Sequence, residues 1–463
     1  MNQFKYRPVP WIPAAPAQRT GEAPWPEHGR PRKVRRIFAL RAAAAGLVLA
    51  AGVIAAAVAP GLLLDAPHSR PAAEVDARPQ PAKRLLVKQD VQRLIAGSDL
   101  LNLEDSTLEV KRENQCFTIQ TSIDTGLQQH LLQRLDSRHA RYIGIVVMDP
   151  KDGRVLAMAG YDKTDPSRNP CLDSRFPAAS IFKIITAAAA VETCDLEAES
   201  ILKFDGGKHT LYRSQISPKN SKGATRISLK DSFAQSINPV FGKIGAHRLG
   251  KEVIENYAEA FGFNREIDFE LPIRPSRFEI SDEVYGLAEI ASGFNRTTRI
   301  SPLHGAIITA AIFNSGRLVA PTIVDWIANE SGQTLYQSRA VFQDPVIDAH
   351  TSGVLRELMQ ATVQSGTARR EFHKHSEEKI FSRLEIGAKT GSIGDGSTEA
   401  RYDWLVGYAR APREGGGIVF SVVVAHMDYI GTRAAAYAAI AIREYFRTHF
   451  AAVDGRSAPE PRS

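Results

Sequence analysis

The residues best suited to nucleophilic chemistry lie in the segment Ser180-Ile181-Phe182-Lys183, which follows Pro177 and opens an apolar run. A spacing of three residues puts the hydroxyl of Ser180 and the amine of Lys183 on one face of a helix, about one turn apart. A serine hydroxyl is a poor nucleophile until a base removes its proton, and a lysine becomes such a base when burial lowers its pKa. An N-cap serine beside a solvated lysine would give the same pattern, so this segment alone indicates little.

A second pair of polar side chains, Ser236 and Asn238, lies at the end of a helical-looking stretch over residues 228–235. A second hydroxyl can relay a proton to a departing amine, and an amide side chain can hold a peptide group of a substrate. The alternative interpretation is an ordinary serine at the point where a helix becomes a loop.

A third segment, Lys389-Thr390-Gly391, lies on a strand pattern over residues 386–392. A lysine and a hydroxyl on an exposed strand edge can bind a carboxylate through charge-assisted hydrogen bonds. A glycine there lets the backbone of a substrate approach the strand closely. A plain strand end is the alternative, and only the fixed order of all three segments makes the combination specific.

The hydrophobic pattern predicts the elements that position these residues. Two β-branched runs, residues 142–148 and 155–159, flank a turn-rich pentapeptide and predict a hairpin. Helical patterns dominate from Ser180 to about Ile312. Strand patterns return at residues 384–388, 403–409 and 417–425, and a helical pattern follows at 434–450. Together they predict an α+β fold: one five-stranded antiparallel sheet closed by distant chain segments, helices on both faces, and a helical subdomain.

In this order the three segments resemble the signatures of the transpeptidase domain of penicillin-binding proteins, which serine β-lactamases share. The resemblance covers residues 116–450. Shorter matches reinforce it at residues 121–128, 153–158, 300–306, 314–316, 365–368 and 403–408.

The resemblance implies an acyl-enzyme mechanism. Ser180 would attack the carbonyl between the last two D-alanines of a peptidoglycan stem peptide, and Lys183 would be the base. Ser236 would pass the proton to the leaving D-alanine, with Lys183 or Lys389 nearby. The amine of a second stem peptide would then take the acyl group and form a cross-link.

The resemblance also implies how the substrate is held. Asn238 would bind the substrate amide, and Lys389 and Thr390 would bind the terminal carboxylate beside Gly391. The main-chain N–H groups of Ser180 and Ser392 would form the oxyanion hole, a contribution of about 3 kcal/mol per donor. No cofactor or metal is implied. β-Lactams would inhibit the enzyme, and because no glycosyltransferase-like segment is visible, a separate protein would polymerise the glycan.

The sequence departs from the family pattern at three places. Ala179 stands where many relatives have glycine, and Ser392 replaces a common threonine. Residues 293–296, Gly-Phe-Asn-Arg, stand where many relatives have a Gly-Gln-Gly-like turn. The last departure concerns the substrate subsites rather than the acylation chemistry.

Three rival functions share these motifs: a β-lactamase or β-lactam sensor, a D,D-carboxypeptidase, and a scaffold with a relic site. A β-lactamase needs a base that activates water, and the nearest carboxylates in a suitable stretch are Glu266, Asp268 and Glu270. None is followed four residues later by the expected asparagine. We therefore expect a long-lived penicillin adduct on Ser180.

The N-terminal region predicts a membrane anchor. Ala42 to Leu64 is an uncharged run that could span about 34 Å as a helix. A buried helix and a cleavable signal peptide are the alternatives, but the run has no polar stripe, and Pro60 would follow the best cleavage site. Basic residues crowd its N-terminal side, so the positive-inside rule places the tail in the cytoplasm and the body on the periplasmic or extracytoplasmic side.

The predicted organisation is a disordered basic tail (1–41), a transmembrane anchor (42–64), a linker (65–90), a small pedestal or lead-in (91–135), a transpeptidase domain (136–450) and a disordered tail (451–463). The net charge of +7 lies in residues 1–41, which hold 9 of the 58 basic and 2 of the 51 acidic residues. The rest is neutral, which argues against nucleic-acid binding.

The three cysteines, Cys116, Cys171 and Cys194, allow one disulfide in an oxidising compartment. The pair Cys171 and Cys194 flanks a predicted helix, so their Cα atoms could be too far apart, and the sequence leaves the pairing open. No Cys/His spacing resembles a metal site.

Overall fold

The computed structural model describes residues 85–455, apart from residues 99, 113, 395 and 397–399. The α-helices are α1 (Lys88–Leu94), α2 (Thr125–Leu132), α3 (Lys183–Cys194), α4 (Leu229–Ala234), α5 (Asn238–Ile244), α6 (Gly250–Ala260), α7 (Val284–Ser292), α8 (Pro302–Phe313), α9 (Ala349–Gln364), α10 (Arg369–Phe372) and α11 (Ala434–Val453). The strands are β1 (Thr107–Arg112), β2 (Gln115–Thr121), β3 (Ala140–Met148), β4 (Val155–Asp162), β5 (Phe176–Pro177), β6 (Ile201–Phe204), β7 (Thr225–Ser228), β8 (Arg299–Ile300), β9 (Arg317–Val319), β10 (Val324–Asn329), β11 (Thr334–Gln337), β12 (Phe342–Pro345), β13 (Glu385–Gly394), β14 (Arg401–Arg410) and β15 (Gly417–His426).

The central sheet has five strands in the order β13-β14-β15-β3-β4, and every neighbouring pair is antiparallel. β3 and β4 form the predicted hairpin, and β15 joins them to the C-terminal strands through the pairing of Val423 with Gly144. The predicted five-stranded sheet closed by distant chain segments is therefore confirmed. β13 is an edge strand, and it continues to Gly394 through the whole Lys-Thr-Gly segment.

The sheet separates two hydrophobic cores because side chains alternate along each strand. On β3, Val146 and Met148 belong to the core that includes α3 and α8. Ile145 and Val147 belong to the core that α2 and α11 close from the other side. Strands buried on both faces read as continuous apolar runs, and this explains the sequence of β15.

The chain around Ser180 differs from the predicted helix start. Pro177 lies in β5, which pairs with β8, and a 3₁₀ turn, Ala179–Phe182, separates it from α3. The helix begins only at Lys183. A 3₁₀ turn has three residues per turn, so residues three apart still lie one above the other, and the predicted proximity of Ser180 and Lys183 is kept.

The helical region between Ser180 and Ile312 is also interrupted. β6 and β7 pair within it, and residues 264–283 are mostly extended loop. α3 to α7 form the helical subdomain, with α3 buried along nearly its whole length.

A second sheet joins the two regions that the sequence assigned to pedestal and transpeptidase domain. Its order is β1-β2-β10-β11, so strands from before residue 135 pair with strands beyond residue 323. The boundary placed after residue 135 stays a prediction.

Cys116, Cys171 and Cys194 are free thiols, so the disulfide that the sequence left open is not formed. Cys171 is buried beneath the central sheet, and burial raises the pKa of its thiol to about 12. Within residues 85–455 no helix is long and apolar enough to cross a bilayer. The predicted anchor, residues 42–64, and both predicted tails lie outside the described residues, apart from the first residues of the C-terminal one.

Candidate active site

Ser180 lies in a tightly held turn between β5 and α3. The indole Nε1 of Trp404, on β14, donates to the carbonyl of Pro177 at 2.9 Å. Ala179 then adopts a φ of 48°, in the left-handed region that few non-glycine residues enter. Glycine would be unstrained at this position, which explains why many relatives have it, and Ala179 carries the backbone strain instead.

The amine of Lys183 lies within hydrogen-bond distance of three oxygen atoms. Its Nζ is 2.8 Å from Ser180 Oγ, 2.7 Å from Asn238 Oδ1 and 2.6 Å from the carbonyl oxygen of Ser292. The side chain is completely buried. Burial lowers the pKa of Lys183 well below its ordinary value, and the charge of Lys389 lowers it further. Both effects favour the neutral form of this amine.

A neutral amine has two N–H donors and one lone pair. Asn238 Oδ1 and the Ser292 carbonyl can only accept, so they take both hydrogens. The lone pair is left for the hydroxyl hydrogen of Ser180. The orientation of the Asn238 amide follows from its other contact, in which Nδ2 donates to the carbonyl of His209 at 2.9 Å. In the neutral form of the amine, this geometry would let Lys183 accept the proton of Ser180.

Ser236 follows the C-terminal end of α4, and the hydrogen bonds of that helix end fix its backbone conformation. The N–H of Ser236 donates to the Phe233 carbonyl and the N–H of Ile237 to the Ser232 carbonyl, which is a Schellman ending. Ser236 occupies the left-handed position of that ending, with φ 56°, where glycine is usual. A strained serine at such a position indicates a functional constraint.

Lys389 pairs with Ser236 inside the protein. Its Nζ donates to Ser236 Oγ at 2.9 Å and to the Thr390 carbonyl at 3.0 Å, and the side chain is completely buried. Burial lowers its pKa to about 7. The sequence placed this lysine on an exposed strand edge. The strand is an edge strand, but the amine points inward because Ser236 covers it.

The open face of β13 carries the remaining residues of the third segment. Thr390 is half-buried and its hydroxyl lies 2.5 Å from the hydroxyl of Thr367, while Ser392 is exposed. A Cβ on Gly391 would lie 3.3 Å from Ile181 Cγ1, tighter than most real contacts. The glycine therefore lets β13 pack against the turn that carries the nucleophile.

The structure places four of the residues that the sequence singled out in two serine–lysine pairs, Ser180 with Lys183 and Ser236 with Lys389. Asn238 contacts Lys183, and Gly391 packs beside Ile181. It adds three contacts that sequence reasoning missed: the carbonyls of Ser292 and His209 and the Thr367 hydroxyl. Main-chain carbonyls have no side-chain signature, so only Thr367, within the matched residues 365–368, offered a signal.

A buried lysine amine within hydrogen-bond distance of a serine hydroxyl, beside the edge strand of an α+β sheet, is the arrangement expected of serine acyl-transfer proteins. The comparison with protein families is consistent with that class. The family model described as "Penicillin binding protein transpeptidase domain" matches residues 143–444, and the chain belongs to this family.

Curated relatives carry related names. The chain is 27% identical over 288 residues to stage V sporulation protein D of Bacillus subtilis, covering 58% of this chain and 43% of that protein. It is 24% identical over 313 residues to the peptidoglycan D,D-transpeptidase PbpA of Mycobacterium tuberculosis, covering 58% of this chain and 59% of that protein. The chain thus spans about half the length of the curated relatives it matches.

Solved structures share the fold. The D,D-transpeptidase domain of a peptidoglycan glycosyltransferase from Eggerthella lenta aligns with a TM-score of 0.57 and 23% identity, over 73% of this chain and 83% of that one. The penicillin G acyl-enzyme of penicillin-binding protein A from M. tuberculosis aligns with a TM-score of 0.55 and 21% identity, over 70% and 80% of the two chains.

Proposed function

We propose that this chain is a peptidoglycan D,D-transpeptidase, which cross-links stem peptides through an acyl-enzyme on Ser180 and is inhibited by β-lactams. The observation that carries the proposal is the hydrogen bonding of Lys183. The buried Nζ lies 2.8 Å from Ser180 Oγ, 2.7 Å from Asn238 Oδ1 and 2.6 Å from the Ser292 carbonyl oxygen, so the lone pair of the neutral amine would face the Ser180 hydroxyl. The names of the curated relatives support the choice of substrate.

The acylation step follows from this arrangement. Lys183 takes the hydroxyl proton as Ser180 Oγ attacks the carbonyl between the two D-alanines. The C–N bond then breaks, and the leaving nitrogen takes a proton from Ser236, which recovers one from the buried amines on either side. Because Ser236 already accepts a hydrogen bond from Lys389, its own hydroxyl hydrogen is free to point into the cleft.

Substrate binding would use the open side of β13. Thr390 and Thr367 offer hydroxyls for the terminal carboxylate, and the Lys389 amine contributes charge from beneath when it is protonated. The main-chain N–H groups of Ser180 and Ser392 would bind the oxyanion. The Asn238 amide already forms hydrogen bonds with Lys183 and His209, so it could bind the substrate amide only by sharing them. We therefore propose that its main role is to hold Lys183 in place.

We also propose that residues 42–64 anchor the chain in the membrane and that residues 65–90 form a linker. Residues 91–135 would be the lead-in and residues 136–450 the transpeptidase domain, both on the extracytoplasmic side. The charge asymmetry about residues 42–64 supports the orientation. A separate glycan polymerase would supply the strands to be cross-linked. A reporter that matures only in the cytoplasm, fused after Ser463, should stay dark, and a bright fusion would contradict this topology.

The experiment that tests the function uses the purified full-length chain and a fluorescent penicillin. We expect one stoichiometric covalent label, lost in Ser180→Ala and mapped to Ser180 by peptide mass spectrometry. Retention of the label in Ser180→Ala, or no label on the folded wild-type chain, would refute the proposal. Ser338→Ala, at a partly exposed serine of the other sheet region, serves as the matched control and should label like wild type.

A further inference from the structure

Arg296 reaches from the loop after α7 to the open end of β13. Its Nε donates to the carbonyl oxygen of Gly394 at 2.7 Å. The guanidinium also packs against the turn that follows β13, since a Cβ on Gly396 would lie 3.4 Å from both Cζ and Nε of Arg296. These contacts leave the two terminal amino groups, Nη1 and Nη2, without a hydrogen-bond partner among the residues that the structure describes.

The loop that carries Arg296 is fixed beside the nucleophile. At its start, the main chain of Gly293 packs against that of Ala179, directly before Ser180. Next, Asn295 closes the loop, because its Oδ1 accepts from the main-chain N–H groups two and three residues further on, at 3.1 and 2.7 Å. Arg296 lies inside this closed turn, so the position of its guanidinium relative to Ser180 is set before any substrate binds.

Arg296 lies at the same edge of β13 as the main-chain N–H of Ser392. β13 is an edge strand, and the main-chain groups of residues two apart point to the same side of a strand. The Gly394 carbonyl faces Arg296, so the N–H of Ser392, two residues earlier, faces the same open edge. That N–H is the proposed oxyanion donor. The guanidinium therefore lies about 7 Å further along the strand, the rise of two residues.

A second guanidinium adds positive charge at this end of the strand. Arg401, on β14, is the register partner of Gly394, and its Nε donates to the hydroxyl of Ser392 at 3.4 Å. Arg296 and Arg401 are both exposed. Neither pairs with a carboxylate of the described residues, so this end of the edge strand carries two positive charges that no described acidic side chain neutralises.

The proposed acylation determines which part of the donor peptide lies near this charge. The terminal carboxylate binds at Thr390 and the reacting carbonyl lies between Ser180 and Ser392, so the residues before the two D-alanines extend along β13 toward Gly394. One residue of extended chain advances about 3.4 Å. The residue directly before the two D-alanines therefore lies close to Arg296, and a long side chain on it covers the remaining distance to the guanidinium.

We propose that Arg296, with Arg401 beside it, selects donor stem peptides in which the residue before the two D-alanines ends in a side-chain carboxylate. This inference deepens the proposed function and rests on it. A guanidinium held through Nε presents its two Nη groups as a fork, which matches the two oxygens of a carboxylate. A side chain that ends in an ammonium group alone is repelled by the two arginines. Arg296 is thus a specificity-determining residue, and it takes no part in the chemical step.

The test compares two donors that differ by one charge. Both are Nα-acetyl-X-D-alanyl-D-thiolactate thioesters, in which X is L-2-aminopimelate or its side-chain amide, and release of the thiol by the full-length chain gives kcat/KM for each. We expect wild type to prefer the carboxylate donor by about tenfold or more, because the amide loses a charge-assisted, two-pronged contact. Added salt should reduce the preference, since both arginines are exposed.

Variants of Arg296 separate charge from loop structure. Arg296→Gln should abolish the preference, and Arg296→Lys, which keeps the charge without the fork, should retain part of it. The measured quantity is the ratio of the two kcat/KM values, which a general loss of activity does not change. Arg265→Gln is the matched control, because Arg265 is an exposed arginine that pairs with Glu259 at 3.4 Å, and it should keep the wild-type ratio.

Three outcomes would overturn the role of Arg296. One is a wild-type chain that treats the two donors alike or reacts with neither, and another is an equal preference in wild type and Arg296→Gln. The third is a preference that appears only after Asp395→Asn and Glu399→Gln, because the acidic residues of the neighbouring turn would then occupy the guanidinium. The proposed function would be refuted separately, by a wild-type chain that fails to acquire a penicillin label.

Discussion

A Cβ atom on Gly293 would lie 1.9 Å from the carbonyl oxygen of Ala179 and 3.0 Å from the main-chain nitrogen of Ser180. Gly293 ends α7 with φ 68°, and Ala179 has φ 48°. Two left-handed residues therefore pack main chain against main chain directly before the nucleophile. Because the Ser292 carbonyl binds Lys183, this contact also sets the position of the base relative to the serine.

Gly293→Ala should therefore damage stability and catalysis together. The added methyl group must displace the Ala179 main chain, and overpacking of this kind costs about 1–3 kcal/mol. We expect a lower free energy of unfolding in urea and at least tenfold slower acylation by a fluorescent penicillin. Gly223→Ala is the control, since a Cβ there meets nothing within 4 Å. Equal effects of the two substitutions would show that the Gly293 contact does not position Ser180.

The pH dependence of acylation should follow the ionisation of Lys183. The neutral amine is the base, so the acylation rate should rise as pH rises through its lowered pKa and fall on the acid side. The charge of Lys389 is one cause of that lowering. Lys389→Gln removes the charge, so the pKa of Lys183 should rise and the midpoint of the acid limb should move to higher pH. The measured quantity is the midpoint of the acid limb rather than the overall acylation rate. The overall rate also falls in this variant because Ser236 loses its hydrogen bond from Lys389.

The control for that shift is Lys374→Gln, an exposed lysine that pairs with Glu371. Its midpoint should equal that of wild type. A midpoint that stays in place or moves to lower pH in Lys389→Gln would show that the two amines are not coupled as described.

Lys389 should also make folding stability depend on pH. Its pKa is about 7 in the folded protein and has its ordinary value of 10.5 in the unfolded chain. Between these values the unfolded chain binds more protons, so the free energy of unfolding gains a contribution that increases with pH. Urea unfolding at about pH 7 and about pH 9.5 should show a larger increase for wild type than for Lys389→Gln. A larger increase of the free energy of unfolding in Lys389→Gln than in wild type would contradict the predicted direction of the pH dependence.

Trp404 should support the nucleophile through one hydrogen bond. Trp404→Phe leaves the buried Pro177 carbonyl without its donor, which costs about 1–3 kcal/mol. We expect lower stability and slower penicillin acylation. Trp326→Phe, on β10 of the other sheet, is the matched control and should leave the acylation rate near that of wild type. Normal acylation in Trp404→Phe would show that the turn before Ser180 is held by other contacts.

The central sheet was predictable because its signals are local. The runs that became β3 and β4 flank a turn, and β14 and β15 are continuous apolar runs, as strands buried on both faces must be. The turn at Ser180 was not predictable. Pro177 reads as a helix start, but it pairs in β5 with Arg299, more than a hundred residues away. Tertiary pairing of that range leaves no trace in the local sequence.

The active-site residues also divide into those that the sequence predicted and those that only the structure shows. Ser180, Lys183, Ser236 and Lys389 were found from residue types and order, since catalysis requires those side chains. The burial of Lys389 was missed because period-two alternation does not say which face of an edge strand is covered. The His209 and Ser292 carbonyls were missed because any residue type supplies a carbonyl. Distances and main-chain partners therefore needed the structure.

The lifetime of a penicillin adduct distinguishes a cross-linking enzyme from a β-lactamase. Fast hydrolysis of the ester on Ser180 needs a base aimed at a water molecule. Of the three carboxylates in the stretch where the sequence suggested such a base, Glu270 is completely buried and accepts from Thr322 Oγ1 at 2.6 Å, from Ile323 N at 3.1 Å and from the Tyr336 hydroxyl at 3.1 Å. It thus binds the residues that precede β10 and Tyr336 of β11, and it is unavailable to the active site.

The contacts of Asp268 and those of the two active-site lysines lead to the same expectation. Asp268 pairs at 3.6 Å with Lys88, on α1. Among the described residues, the hydrogen-bond partners of Lys183 and Lys389 are hydroxyl, amide and main-chain oxygens, and none is a carboxylate. We therefore expect penicillin to form an adduct on Ser180 with a half-life of many minutes or longer. Intact-mass spectrometry of the full-length chain after a penicillin pulse and removal of free drug would follow its decay, with Ser180→Ala as the unlabelled control. Turnover of many penicillin molecules per second without a persistent adduct would mean that the chain is a β-lactamase and that the cross-linking assignment is wrong.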